Sequence, residues 1–149
     1  MNNVIEKVVE LKATPARVWR ALTDHREFSV WFRVKLDGPF VAGQANHGHV
    51  TYPGYEHLRW DAVVQKLEPE TLFSFTWHPY PSDPAVDYSL EPATLVEFRL
   101  EPTATGTRLT VTESGFEHIP AERRFEAWRM NDGGWTMQMR NIADYVAAS

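Results

Sequence analysis

The chain closes on an alternating strand that runs into one long amphipathic helix, and this pairing limits the folds open to it. In the strand, Leu109, Val111 and Glu113 share one parity, and Thr110, Thr112 and Ser114 the other. Beyond Pro120, Phe125, Trp128, Trp135, Met139, Ile142 and Val146 recur at spacings of three, four or seven, which places them on one helical face. A helix so long, with such bulky residues on one stripe, needs a broad apolar surface to lie on. The strand-like remainder of the chain supplies it, and a curved sheet gripping a helix often leaves a cavity between the two.

Val4 to Leu11 reads as a strand. Thr14-Pro15 is a helix start, a hydroxyl cap followed by proline at the first helical position, and Val18, Trp19 and Leu22 form the buried face. Thr23-Asp24 caps a second short helix carrying Phe28, Trp31 and Phe32. From Val34 to Phe116 the pattern is mainly β, with turns at Gly38-Pro39 and Gly43. Strands are expected within Val41 to Tyr52, His57 to Leu67, Leu72 to His78, Thr94 to Leu100 and Thr107 to Phe116. The stretch from Pro79 to Pro92, with prolines at 79, 81, 84 and 92, is the one long irregular connection, a length often used for lids and binding loops. The order is strand, two short helices, about six further antiparallel strands and a long helix, in one domain spanning residues 1–149.

Composition excludes several functions. The formal net charge of −5 gives no basic footprint for nucleic acid. With no cysteine, disulfides, thiol catalysis and thiolate metal sites are ruled out together. The N-terminus lacks the cationic start and apolar core of a signal peptide, and no window approaches the apolar length of a membrane span. A cytoplasmic location is expected.

The order and local motifs resemble a known family. Its matching segments here are Ala13-Thr14-Pro15-Ala16-Arg17-Val18-Trp19, Ala21-Leu22-Thr23-Asp24, Trp31-Phe32, Leu67 to Phe73, Thr107 to Phe116, and Gly134-Trp135 through Ala143 to Val146. Together they cover essentially the whole chain. The chain is similar to the bacterial proteins that resemble the C-terminal domain of the activator of heat-shock protein 90 ATPase, within the START-like superfamily, also called Bet v 1-like, SRPBCC or helix-grip. The resemblance implies an α+β helix-grip fold: a curved antiparallel sheet of six to seven strands, two short helices after strand one, and a long C-terminal helix over the sheet. It implies much less about function, since the superfamily hosts carriers, receptors and cyclases. The full-length activator also has an N-terminal domain that has no counterpart in this sequence.

Glu113 is the sharpest single candidate, because a carboxylate shares the parity that faces the helix, where it is costly unless hydrogen-bonded. It reads either as a polar anchor or general acid/base in a ligand cavity, or as a strand-end residue bonded to a neighbour. Asp132 falls on the helix stripe between Trp128 and Trp135, followed by Gly133-Gly134, which suggests a bend, a close approach or a break. Among the aromatics, Trp60, Trp77 and Trp135 suit a flat apolar ligand, with indole N–H groups to orient its polar end. The expected ligand-binding set is Trp60, Phe75, Trp77, Glu113, Trp128, Asp132, Trp135 and Met139. His47 and His49 share a strand face near His57 and His78, but nothing in the spacing makes three or four ligands converge, so no metal is expected. No phosphate loop, nucleophile elbow or redox-cofactor motif occurs, so no cofactor and no catalytic residue is assigned.

Three readings follow. The first is a domain binding a small hydrophobic, aromatic or lipid-like ligand between sheet and C-terminal helix. The second is an interaction module docking on a chaperone or other protein, as monomer or homodimer. The third is a cyclase- or dehydratase-type enzyme using Glu113 with an aromatic hydroxyl or histidine.

Overall fold

A computed structural model describes residues 3–83 and 85–148. Pro84, one of the four loop prolines, lies outside the described residues. The first strand, β1 (Val4–Leu11), is followed by helices α1 (Pro15–Thr23) and α2 (His25–Phe32). Strands β2 (Val34–Leu36), β3 (Ala45–Val50), β4 (Arg59–Glu68), β5 (Leu72–Trp77), β6 (Thr94–Pro102) and β7 (Thr107–Ser114) come next, and α3 (Ala121–Ala148) ends the chain.

All neighbours in the seven-stranded sheet are antiparallel, in the order β1-β7-β6-β5-β4-β3-β2. β2 to β7 form a continuous meander, which returns to lay β7 beside β1. β1 and β2, consecutive in sequence, are therefore the two edges, and α1 and α2 carry the chain across. Both helices start as their caps dictate. Thr14 Oγ1 accepts from the Arg17 backbone N–H at 3.2 Å, and Asp24 Oδ1 from that of Arg26 at 2.9 Å. Arg33, in the left-handed region at φ 63°, ends α2 and turns the chain into β2.

Strand alternation sets the core. Trp60, Ala62 and Val64 of β4, Phe73 and Phe75 of β5, Val96, Phe98 and Leu100 of β6, and Leu109 and Val111 of β7 are all buried. Two glycines are demanded by close approach. A Cβ on Gly48 would meet the Lys35 carbonyl oxygen at 2.1 Å, and one on Gly106 that of Leu11 at 2.0 Å. The strand expected within Val41 to Tyr52 is shorter than its pattern, because a turn at Gly43 precedes it.

The inward face of α3 differs from the expected stripe at its start. Ala127, Trp135, Gln138, Met139, Ile142 and Val146 are buried, whereas Phe125 is 57% exposed. At about 100° per residue, Phe125 stands some 200° from Ala127, so it points away once the Trp135 end is seated. Gly133 and Gly134 neither break the helix nor allow close packing, since a Cβ at either would meet nothing within 4 Å.

Candidate ligand site

Period-two alternation carries Glu113 inward at the end of β7, paired with Ile5 of β1 and Val96 of β6. It is 0% exposed. Four neutral groups donate to its carboxylate. Trp77 Nε1 and Thr94 Oγ1 reach Oε2 at 2.8 and 2.6 Å, and Trp135 Nε1 reaches Oε1 at 2.8 Å. Asn131 Nδ2 bridges the two oxygens at 3.0 and 3.2 Å. Asn131 and Trp135 are one helical turn apart and so share a face of α3. The carboxylate thus joins three strands to the helix. Burial pushes its pKa above the ordinary carboxylate range, a shift that the bonds from Thr94, Trp135, Trp77 and Asn131 oppose.

Beside this hub the space between sheet and helices is packed with rings. Phe32 lies 5.3 Å from Trp60, 6.4 Å from Trp77 and 6.0 Å from Trp135, centroid to centroid. Trp77 lies 5.7 Å from Trp135, and Phe98 lies 5.6 Å from Trp135. Such edge-on and tilted pairs are the arrangements aromatic quadrupoles favour.

A pocket of about 700 Å³ opens at the edge of this cluster. Phe32, Trp60, Trp77 and Asn131 line it, along with the Ala62–Val63 stretch of β4, His78, and Tyr80, Val86 and Tyr88 from the loop between β5 and β6. A smaller pocket of about 80 Å³ shares Phe32, Trp77 and Asn131 and adds Gly134, Trp135 and Gln138. The two therefore meet at the ring cluster beside α3. Both the size and the mix of apolar walls with a few polar groups suit a small organic ligand.

The loop wall is held by Arg123 in the first turn of α3. Its guanidinium donates to the carbonyl oxygens of Pro79 at 3.0 Å and Tyr80 at 3.3 Å. It also pairs with the Glu91 carboxylate at 2.7 Å and lies 4.7 Å from the Tyr88 ring centroid. One side chain thus clasps both ends of the loop. Tyr80 is held in the left-handed region at φ 47°. His78 Nδ1 is buried with no hydrogen-bond partner among the described residues, and burial is the first cause pushing the imidazole below its ordinary pKa.

The expected site residues fall into three places. Trp60 and Trp77 line the larger pocket, and Trp77 and Trp135 the smaller. Glu113 stands behind them as the acceptor of both Trp77 and Trp135, while Phe75 and Met139 are buried in the core. Trp128 and Asp132 fasten α3 to β1, through a 3.5 Å contact from Trp128 Nε1 to the Val4 carbonyl and a 3.0 Å ion pair between Asp132 and Lys7. Sequence reasoning passed over Asn131, Thr94 and Arg123. Only Asn131 carried a signal, its one-turn spacing from Trp135. Of the histidines, His47 pairs with Asp61 at 2.7 Å, and among the described residues no three His, Asp or Glu side chains converge as metal ligands would.

A meander of antiparallel strands gripping a long C-terminal helix, with two short helices bridging its edges, defines the helix-grip, or START-like, class. The family model described as activator of Hsp90 ATPase homolog 1-like protein matches residues 12–147, and the chain belongs to that family. It is similar in structure to protein MLL2253 from Mesorhizobium loti, at TM-score 0.77 and 25% identity over 98% of both chains. The Aha1 dimer from Colwellia psychrerythraea has TM-score 0.72 and 20% identity, over 96% of this chain and 95% of that one. DynU16, from the dynemicin biosynthetic locus, has TM-score 0.73 and 22% identity, over 99% of this chain and 48% of its own. The last two likenesses are of fold alone. No curated protein matches the chain. Among the described residues, no helix is long and apolar enough to cross a membrane.

Proposed function

We propose that this chain binds a small, ring-containing, largely apolar molecule in the pocket beneath the β5–β6 loop. The observation that carries the reading is the pocket of about 700 Å³ walled by Phe32, Trp60 and Trp77 and roofed by a loop clasped to α3. Binding is favoured over catalysis because the Glu113 carboxylate is already engaged by four donors. Its part is to position the two indoles and Asn131. Native mass spectrometry and thermal shift with a panel of aromatic compounds test the reading. Val63, partly exposed on the β4 wall, is the control position. A melting shift that Val63→Glu abolishes, with the unliganded melting temperature kept, supports the pocket. A shift that survives both Val63→Glu, on the exposed parity of β4, and Phe32→Ala, on the ring side, places binding elsewhere and refutes it.

A second reading, self-association or docking on another protein, is favoured by two large apolar side chains left in the open, Leu90 at 84% and Phe125 at 57% exposed. The Colwellia Aha1 is a dimer. Sedimentation of the protein beside its Leu90→Ser/Phe125→Ser variant tests this, and a monomer that captures no chaperone at high concentration would end it.

A further inference from the structure

We infer that the inner end of the pocket recognises a hydrogen-bond donor on the ligand, a hydroxyl or an N–H, through the side-chain carbonyl oxygen of Asn131. This rests on the pocket beneath the loop being the ligand site.

The buried carboxylate decides which groups face the ligand space. The three indole N–H groups beside the ligand space are all spent, those of Trp77 and Trp135 on Glu113 and that of Trp60 on Asn46 Oδ1 at 3.1 Å. They offer a ligand ring faces but no donor. Asn131 lines both pockets where they meet. Its amide has two ends, and a carboxylate dictates which of them faces it, because an ionised carboxylate only accepts. Nδ2 lies against both Glu113 oxygens, so Oδ1 is the end of the amide directed away from Glu113. Among the described residues that oxygen has no partner, and it is not one of the buried unpartnered atoms. It is an accessible acceptor at the edge of an aromatic pocket.

The orientation survives protonation of Glu113. A proton on Oε2 would be donated to Thr94 Oγ1, 2.6 Å away, leaving Oε1 bare to accept from Asn131 as before. An amide that is normally free to flip is therefore locked by the group behind it, and the lock sets the pocket's polarity. His78 Nδ1, the buried unpartnered nitrogen of another lining residue, adds no fixed donor to the wall. A carboxylate or ether oxygen placed against Asn131 Oδ1 would meet another acceptor. A phenol or alcohol would form a bond.

Isothermal titration with three matched probes, 2-naphthol, 2-methoxynaphthalene and 2-naphthoate, tests the inference. 2-Naphthol should bind about tenfold or more tightly than either of the others, the scale of one hydrogen bond made or lost in a dry site. Asn131→Ala should bring 2-naphthol to the level of the ether. Should that variant fail to fold, Glu113→Gln gives the second measurement. Its isosteric amide both donates and accepts, which frees Asn131 to present either end, so the preference should collapse. Equal binding of naphthol and ether to the wild type, both abolished by Val63→Glu, would overturn the donor inference and leave the pocket standing. A preference that persists in Glu113→Gln would overturn the lock. Binding of none of the three would overturn the pocket reading and this one with it.

Discussion

Glu113 sits between two opposed effects. Removing a carboxylate from water disfavours its charge, and four donors aimed at its two oxygens restore part of what is lost. Burial is the larger, so the folded protein holds this proton more tightly than the unfolded chain does. Between the ordinary carboxylate range and the raised folded value, the unfolded state then carries fewer protons, and stability falls as pH rises through that window. Glu113→Gln removes the ionisation while keeping the shape. Its melting temperature, relative to wild type, should therefore rise as pH climbs from the ordinary carboxylate range, and a difference that stays flat with pH would contradict the burial argument. Glu113→Leu tests the other side. It leaves two indole N–H groups and the Asn131 amide without their acceptor, at about 1–3 kcal/mol for each buried orphan, so urea unfolding should show a loss of at least about 2 kcal/mol. The inward parity of Glu113 is readable in the strand as Leu109, Val111, Glu113. Its donors are not, because Trp77, Thr94 and Asn131 come from three other elements, and only the sheet register and the seating of α3 bring them together.

At the scale of elements, α3 carries an unexplained weakness. Gly133 and Gly134 sit inside a continuous helix, neither at positive φ nor against a neighbour. Alanine at such positions stabilises by about 0.5–1 kcal/mol, through helix propensity and a less disordered unfolded chain. Gly133→Ala should therefore raise the unfolding free energy by that amount and leave ligand binding unchanged. Gly134→Ala should stabilise equally, yet it adds a methyl group to the smaller pocket and should weaken any ligand that reaches into it. The helix was legible in its sequence and its rotation only in part. Trp135, Met139, Ile142 and Val146 keep true helical spacing, and the bulk of Phe125 drew the stripe aside at the other end. The β5–β6 element shows the opposite case. Its prolines marked it as a loop, but what fixes it is Arg123, 44 positions beyond Pro79, and no periodicity links the two. Arg123→Gln should release both ends, and amide exchange across residues 79–91 should quicken while that of β7 stays slow.

In the whole molecule, the two sides of the sheet are finished differently. At the β1 edge, α3 closes the structure through Lys7–Asp132 and Trp128, whereas on the β3–β5 side a loop takes the helix's place and the pocket opens beneath it. The meander was legible because each hairpin declares itself by alternation and turn residues. The pocket was not, because its roof has no alternation, and prolines mark a loop without saying which surface it covers. This asymmetry predicts how a bound ligand is felt across the molecule. Amides of β7 that exchange only through global unfolding should slow by a factor of 1 + [L]/Kd, about tenfold at a ligand concentration ten times Kd. Amides in the β6–β7 turn, where the Thr103 N–H donates to the Gly106 carbonyl, open locally without disturbing the pocket and should not slow at all. The loop amides decide the matter. If the roof must be closed for the ligand to stay, every opening of residues 79–91 destroys the site, and their exchange with saturating 2-naphthol should slow by the same factor as β7. If β7 slows and the loop does not, the ligand is held by the ring cluster alone, and the Arg123 clasp has no part in binding.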